Sequence, residues 1–383
     1  MDYTDAMKLN RFILVHLVRP FENMETAELD LVEMRSLIET SGGATVVRVI
    51  QRRMRPDSAT YVGSGKAQEI TQFIKDERIN VIVINDIVKP GALFNLQKIV
   101  QTVNPDIEVW DRVDLILDIF QKHALTAEAK LQIELANMRH MGPRIFGMGL
   151  VLSRQTGGIG GRGIGETNTE LMKRHWRKQT AYVQEKLEKL RAGRMSQIER
   201  RKENGIPTVS IVGYTNAGKS ALFNLLTSKN KTTENILFAT LDTTSGSLYM
   251  SKLGKKILFT DTIGFIQKLP PELIDAFKST LIESIHADLL LHVIDASDPK
   301  MYDKIRTVQG ILASLLPKPK PMIFVFSKID KAPDLNRAAL EKSYAQYAPQ
   351  FVSPLSGEGI KNLVGAIEER LRTYALRYTP GVE

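Results

Sequence analysis

Three short segments carry residue types at spacings that could bind and activate a phosphate ester. Gly213-Tyr214-Thr215-Asn216-Ala217-Gly218-Lys219-Ser220 has the spacing G-x-x-x-x-G-K-S/T. Its glycines let backbone N–H groups turn toward phosphate oxygens, Lys219 can reach the β- and γ-phosphates, and Ser220 can ligate Mg²⁺. Asp261-Thr262-Ile263-Gly264 offers an acid that can hold the Mg²⁺ shell through water, and a glycine whose N–H can meet the γ-phosphate. Between them lies Phe238-Ala239-Thr240-Leu241-Asp242. A threonine in this interval can close over the γ-phosphate and complete the metal shell. Thr240 is the first choice, ahead of Thr243 and Thr244, and order that depends on the phosphate is the physical basis of a switch. Lys219, Thr240 and Gly264 are the candidate catalytic residues, and Ser220 and Thr240 the candidate metal ligands.

A fourth segment speaks to the base. Ser327-Lys328-Ile329-Asp330 resembles the guanine-reading motif N-K-x-D. Asp330 would accept from the N1 and N2 donors of guanine, and Lys328 would lie over the ring. Adenine lacks that donor pair, so Asp330 is the strongest sign of GTP rather than ATP. Hydrolysis also needs an aligned water, which many switches orient with a glutamine directly after D-x-x-G. Phe265 stands there and cannot orient water, whether it is a core residue or packs within the switch. Slow intrinsic hydrolysis is the expectation, with the missing ordering supplied by a partner.

These motifs need strand ends to position them. Thr208–Val212, Ile257–Thr260, Leu289–Ile294 and Met322–Phe326 are compact apolar runs, each followed by a polar or glycine-bearing loop. Strands buried on both faces belong in a parallel sheet covered by helices, which binds ligands at the carboxyl ends of its strands. The expected fold class is therefore α/β, with a P-loop domain over 206–383 that ends in a helix over Ile360–Arg377. A small α/β domain is expected over 1–112. Its strands are predicted at Phe12–Val18, Thr45–Val49, Val81–Ile84 and Ile107–Trp110, and its helices at Thr26–Thr40 and Leu93–Val103. Gly63-Ser64-Gly65-Lys66 looks like part of a phosphate loop but lacks the spacing, so a turn into a helix is favoured over a second nucleotide site.

A helical subdomain is expected over 113–205. Asp114–Arg139 reads as helix, as does about Thr169–Glu203. Gln155–Gly165 holds six glycines in eleven residues and cannot be helical. A helical hairpin joined by a mobile glycine loop is the expected result. Glu166–Glu203 contains eleven Lys or Arg and six Glu, and so carries +5 of the net charge of +9. Its Lys173–Lys202 stretch reads either as a solvated helical face or, beside the glycine loop, as an RNA-docking surface.

The composition excludes several classes. There is no cysteine, hence no disulfide, thiolate catalysis or thiolate metal site. No apolar run is long enough to span a bilayer, no lipidation motif is evident, and Met1–Arg11 does not read as a secretory signal. A cytoplasmic monomer without a membrane anchor is the expectation.

Motif order and spacing resemble the translation-factor-related GTPases, and finer detail resembles the HflX family. F-A-T-L-D at Phe238–Asp242, and Asp261–Ile266 with Leu269-Pro270, are similar to that family's segments. So are Tyr61–Lys66, Asp111-Arg112, Leu115–Phe120 and Glu128–Ala136. Gly161–Thr167 looks like the family's R-G-x-G-E-T loop. The resemblance covers roughly residues 10–375. It implies a Mg²⁺-dependent GTPase that binds the large (50S) ribosomal subunit and its RNA, brings the glycine loop and hairpin near the peptidyl-transferase region, and can split stalled ribosomes. The alternative is an RNA-binding module whose nucleotide, GTP or ATP, regulates affinity without disassembling anything.

Four positions depart from the family pattern. Ser327 stands where the family has an asparagine that ties the base-reading loop to the phosphate loop, and serine is shorter with one hydroxyl. At Ser353-Pro354-Leu355, which the resemblance implies also contacts the base, Pro354 replaces an alanine whose N–H donates to guanine O6, and proline has no N–H. Ile164 and Thr243 each replace a proline. The first two changes are expected to weaken discrimination against adenine.

Overall fold

The computed structural model describes residues 10–155, 168–228, 238, 244–267, 273, 281–316 and 318–377. The chain divides into two compact units. One is built mainly from residues 1–122 and 130–186, the other mainly from 187–269 and 274–383.

The first unit holds a four-stranded sheet. Its strands are β1 (Asn10–Val18), β2 (Gly43–Arg52), β3 (Val81–Ile84) and β4 (Glu108–Asp111). Their order is β2-β1-β3-β4, and every pairing is parallel. Helix α1 (Met24–Thr40) begins where the Asn23 side chain accepts the Glu25 N–H at 3.0 Å, a side-chain cap for the first turn. Helix α2 (Ser64–Glu77) starts at the Gly63–Lys66 turn, in keeping with the favoured reading of that segment. With α3 (Pro90–Gln101) it packs on a core that includes Ile13, Val15, Ile70, Ile82, Ile84 and Leu96.

The predicted Asp114–Arg139 helix is two helices, α4 (Arg112–His123) and α5 (Ala127–Gln155). The break has a local cause: the Thr126 hydroxyl accepts the Ala129 N–H at 3.1 Å and starts a new helix. Helix α6 (Asn168–Glu203) runs antiparallel to α5 in this unit, where Trp176 Nε1 donates to the Met138 carbonyl at 3.0 Å. Of the predicted glycine loop, Gln155–Gly165, the first residue ends α5 and the others lie outside the described residues.

A charged network closes the carboxyl end of β4. Arg144 bonds both Asp111, at 3.0 Å, and Asp114, at 2.7 Å. His140 Nε2 lies 3.3 Å from Asp111 and 3.1 Å from Asp114. Burial disfavours a charged His140, but the two carboxylates outweigh it and push its pKa up to about 9. Asp111, Asp114 and His140 are spaced closely enough to share a cation. The guanidinium of Arg144 already supplies a fixed positive charge to both acids, so the cluster reads as a structural ion network.

The second unit holds a six-stranded sheet. Its strands are β5 (Thr208–Gly213), β6 (Thr244–Met250), β7 (Lys255–Asp261), β8 (Leu289–Asp295), β9 (Met322–Ser327) and β10 (Gln350–Phe351), in the order β10-β9-β8-β5-β7-β6. All pairings are parallel except β6 with β7, an antiparallel edge pair that the apolar runs did not reveal. Helices α7 (Lys219–Thr227), α8 (Ile282–His286), α9 (Met301–Leu315), α10 (Arg337–Ser343) and α11 (Ile360–Arg377) complete the unit. Its core includes Ile211, Phe223, Phe259, Leu291, Val325 and Leu363. Among the described residues no helix is long and apolar enough to cross a membrane.

Candidate nucleotide site

Parallel register brings four loops to one edge of the second sheet. Ile211 pairs with Asp261, Gly213 with Val293, and Asp295 with Ser327. The residues that follow these strands therefore emerge side by side.

The loop after β5 needs its glycines. A Cβ on Gly213 would lie 2.3 Å from the Val293 carbonyl oxygen, so only glycine lets β5 turn here. Gly218 has φ +94° and opens α7, whose first residue is Lys219. The first-turn N–H groups of a helix have no intrahelical partner and favour anions. Lys219 is buried, and its ammonium donates to the Tyr214 carbonyl at 2.6 Å. The Ser220 hydroxyl donates to Asp261 Oδ2 at 2.8 Å. A hydroxyl and a carboxylate side by side form a hard oxygen donor set that fits Mg²⁺.

The chain after β7 is fastened to the phosphate loop. Thr262 Oγ1 donates to the Ile211 carbonyl at 2.8 Å. Phe265 donates its N–H to Gly213 O at 3.1 Å and accepts the Thr215 N–H at 2.8 Å. The Tyr214 hydroxyl accepts the Gln267 N–H at 2.7 Å. Ile263 and Phe265 are buried, so Phe265 serves as packing and leaves its backbone as the tie. Phe238 is buried at φ +60°. Ala239, Thr240, Leu241 and Asp242 lie outside the described residues.

At the base-reading end, Ser327 Oγ donates to the Ala217 carbonyl at 2.5 Å. The shorter serine thus still ties the base-reading loop to the phosphate loop. Lys328, at φ +60°, pairs its ammonium with Asp295 at 2.7 Å. Asp295 was missed by motif reasoning; its one signal was its place at the end of an apolar strand. Ser353 Oγ donates to Asp330 Oδ1 at 2.6 Å and so orients that carboxylate. Ile329 is buried beneath the turn, while Leu355 is exposed. Behind the phosphate loop, His292 is fully buried, and its pKa is driven down to about 3 by burial and by the charge of Lys219. It is neutral at working pH.

Known proteins are similar to this chain over most of its length. The GTPase HflX of Caldanaerobacter subterraneus subsp. tengcongensis is 40% identical over 369 residues, which are 96% of this chain and 82% of that one. This chain belongs to the HflX GTPase family. The HflX of Escherichia coli (strain K12) is 37% identical over 367 residues, 96% of this chain and 84% of its own. Family models described as the GTP-binding GTPase N-terminal and middle regions match residues 28–121 and 123–201. A model described as a 50S ribosome-binding GTPase matches 208–328. The crystal structure of SsGBP with GDP resembles the fold at a TM-score of 0.53 and 25% identity, over 94% of this chain and 98% of that one. As an HflX-family member the chain is a GTP-binding, GTP-hydrolysing P-loop enzyme.

Proposed function

We propose that this HflX-family GTPase docks on the large (50S) ribosomal subunit through its RNA and uses GTP to split or rescue stalled ribosomes, acting as a monomer. The observation that carries the catalytic half is the convergence of Lys219, Ser220, Asp261 and Gly264 at one sheet edge. In this reading the Gly213–Ser220 loop cradles the phosphates, and Lys219 neutralises charge that develops between the β- and γ-phosphates. Ser220 and Thr240 would hold Mg²⁺, with Asp261 assisting through water, and the ion would supply charge to the phosphate oxygens. Gly264 presents its N–H to the γ-phosphate, and Asp330, held by Ser353, reads the guanine.

The docking half rests on α6 and on the 50S-binding description of the matched domain. Arg174, Arg177 and Lys178 are exposed, and Lys173 is half-buried, along one stretch of that helix. Phosphate contacts release counterions, so subunit affinity should fall steeply with salt. Neutralising these four residues should flatten the slope by up to about one unit per lost contact.

The test is single-turnover GTP hydrolysis with and without purified large subunits, with small subunits as control, beside a splitting assay using GTP and a non-hydrolysable analogue. Acceleration by large subunits alone, with splitting, is expected. Equal rates in all three conditions remove the ribosome from the mechanism. Acceleration without splitting leaves an RNA-binding module regulated by its nucleotide.

A further inference from the structure

Transfer of a phosphoryl group to water needs something to hold the water in line. Phe265 is apolar, 1% exposed, and bound through its backbone to Gly213 and Thr215, so it does not swing in to do this as the site stands. The hydroxyls on the two loops that flank the phosphates can be followed one by one. Ser220 donates to Asp261, Thr262 donates to Ile211, and Tyr214 accepts from Gln267. Thr215 differs. Its Oγ1 is buried and has no hydrogen-bond partner among the described residues. A buried hydroxyl without a partner is costly and rare, so it marks a place where a water or substrate group can be received.

Its position says which reaction. A Cβ placed on Gly264 would lie 2.7 Å from Thr215 Cγ2, 2.8 Å from Thr215 Cα and 2.9 Å from Lys219 Nζ. The Cα and methyl of Thr215 therefore pack against the backbone expected to face the γ-phosphate, beside the ammonium expected to neutralise it. Thr215 also lines a small cleft with His292, Asp295 and Lys304.

The geometry points to Thr215 as the group that orients the attacking water. Its hydroxyl oxygen accepts a hydrogen bond from that water and turns the water's lone pair toward the γ-phosphorus. The water oxygen then bonds to phosphorus, and the bond from phosphorus to the β,γ-bridging oxygen breaks. The electron pair leaves on GDP, and the proton lost by the water ends on the released phosphate. Thr215 keeps its own proton throughout. The inference rests on the assignment of Gly213–Ser220 and Gly264 to the phosphates.

Thr215→Val keeps the shape of the side chain and its methyl against Gly264 but removes the hydroxyl; Thr215→Ser keeps the hydroxyl. Single-turnover hydrolysis at saturating GTP and Mg²⁺, without ribosomes, reads the step directly. Equilibrium GTP binding and thermal unfolding are measured beside it. The expected result is a loss of about a hundredfold in rate for the valine variant, the scale of losing one positioned group. Its GTP affinity and unfolding midpoint should stay near wild type, and the serine variant should recover the rate to within about threefold. Wild-type hydrolysis by the valine variant overturns the inference. So does a serine variant as slow as the valine one, which would place the effect in methyl packing, and so does a loss of affinity that matches the loss of rate. Lys219→Ala keeps the two failures apart. If it binds GTP normally, the phosphate assignment itself is wrong; if it loses GTP while Thr215→Val hydrolyses normally, only the role of Thr215 falls.

Discussion

Two clusters of charge sit at the carboxyl ends of parallel strands, one in each unit, and they invite comparison. At the end of β4, Asp111 and Asp114 are matched by Arg144 and His140, so charge meets counter-charge. At the ends of β5 and β7, Lys219 donates to a backbone carbonyl, and Asp261 accepts from a serine hydroxyl. Ion pairs of the first kind hold a fold together, whereas the proposed role of the second cluster is to receive an anionic substrate and its cation. The location of charge at strand ends therefore does not by itself separate structure from function.

The sharpest way to break this comparison is to remove Arg144. Arg144→Ala removes a cation from Asp111, fully buried, and Asp114, and should destabilise the first unit by about 3–5 kcal/mol. GTP affinity should not change. Both tryptophans, Trp110 and Trp176, lie in the first unit, so their fluorescence during denaturation isolates it. A midpoint shift below what about 1 kcal/mol produces would mean that the network contributes little.

Next in size is the converse change. Lys219→Ala should weaken GTP binding by at least about a hundredfold, near 2.7 kcal/mol, without moving the tryptophan-detected transition. Calorimetric affinity within about threefold of wild type would show that Lys219 does not serve the phosphates.

The two clusters should also differ in their response to pH. The pKa of His140 is raised from 6.5 to about 9 in the folded protein. Protonated His140 therefore contributes stability that is complete below about 6.5 and is lost as pH rises through about 9. The transition of the first unit should fall over that window, and His140→Gln should flatten the dependence. A wild-type profile that is flat from neutral pH to 10, or that falls identically in the variant, would exclude this origin.

The smallest expected effect concerns the base. Ser327 already makes the tie to Ala217, so most of the change should come from the N–H that Pro354 lacks. Ser327→Asn with Pro354→Ala should raise the GTP-over-ATP affinity ratio by about tenfold, within the roughly 1–3 kcal/mol cost of an unmet acceptor. An unchanged ratio in competition binding would show that neither residue reads the base.

Much of this was legible along the chain, for local reasons. Met322–Phe326 and Leu289–Ile294 are uninterrupted apolar runs, and a strand buried on both faces has no other composition. Gly213 through Ser220 declare themselves because a tight anion-binding turn demands those residue types. Edge strand β6, Thr244–Met250, was silent: its small and polar residues face partly outward, and only its antiparallel pairing with β7 makes it a strand. Helix α2 was seen only as the turn that begins it, and the break before α5 depends on one hydroxyl, that of Thr126.

What the sequence determined by itself was the kind of chemistry: a phosphate loop, an acid and a glycine at a strand end, a carboxylate suited to guanine, and a basic helix. Which groups meet was decided only in three dimensions. Ser327 reaches the Ala217 carbonyl across 110 residues, Lys328 finds Asp295, and Thr215 comes to rest against Gly264. These partners lie on different strands or the loops that follow them, and the register of one strand against the next sets their distances. A shift of one residue would part every pair, and spacing along the chain carries no record of that register.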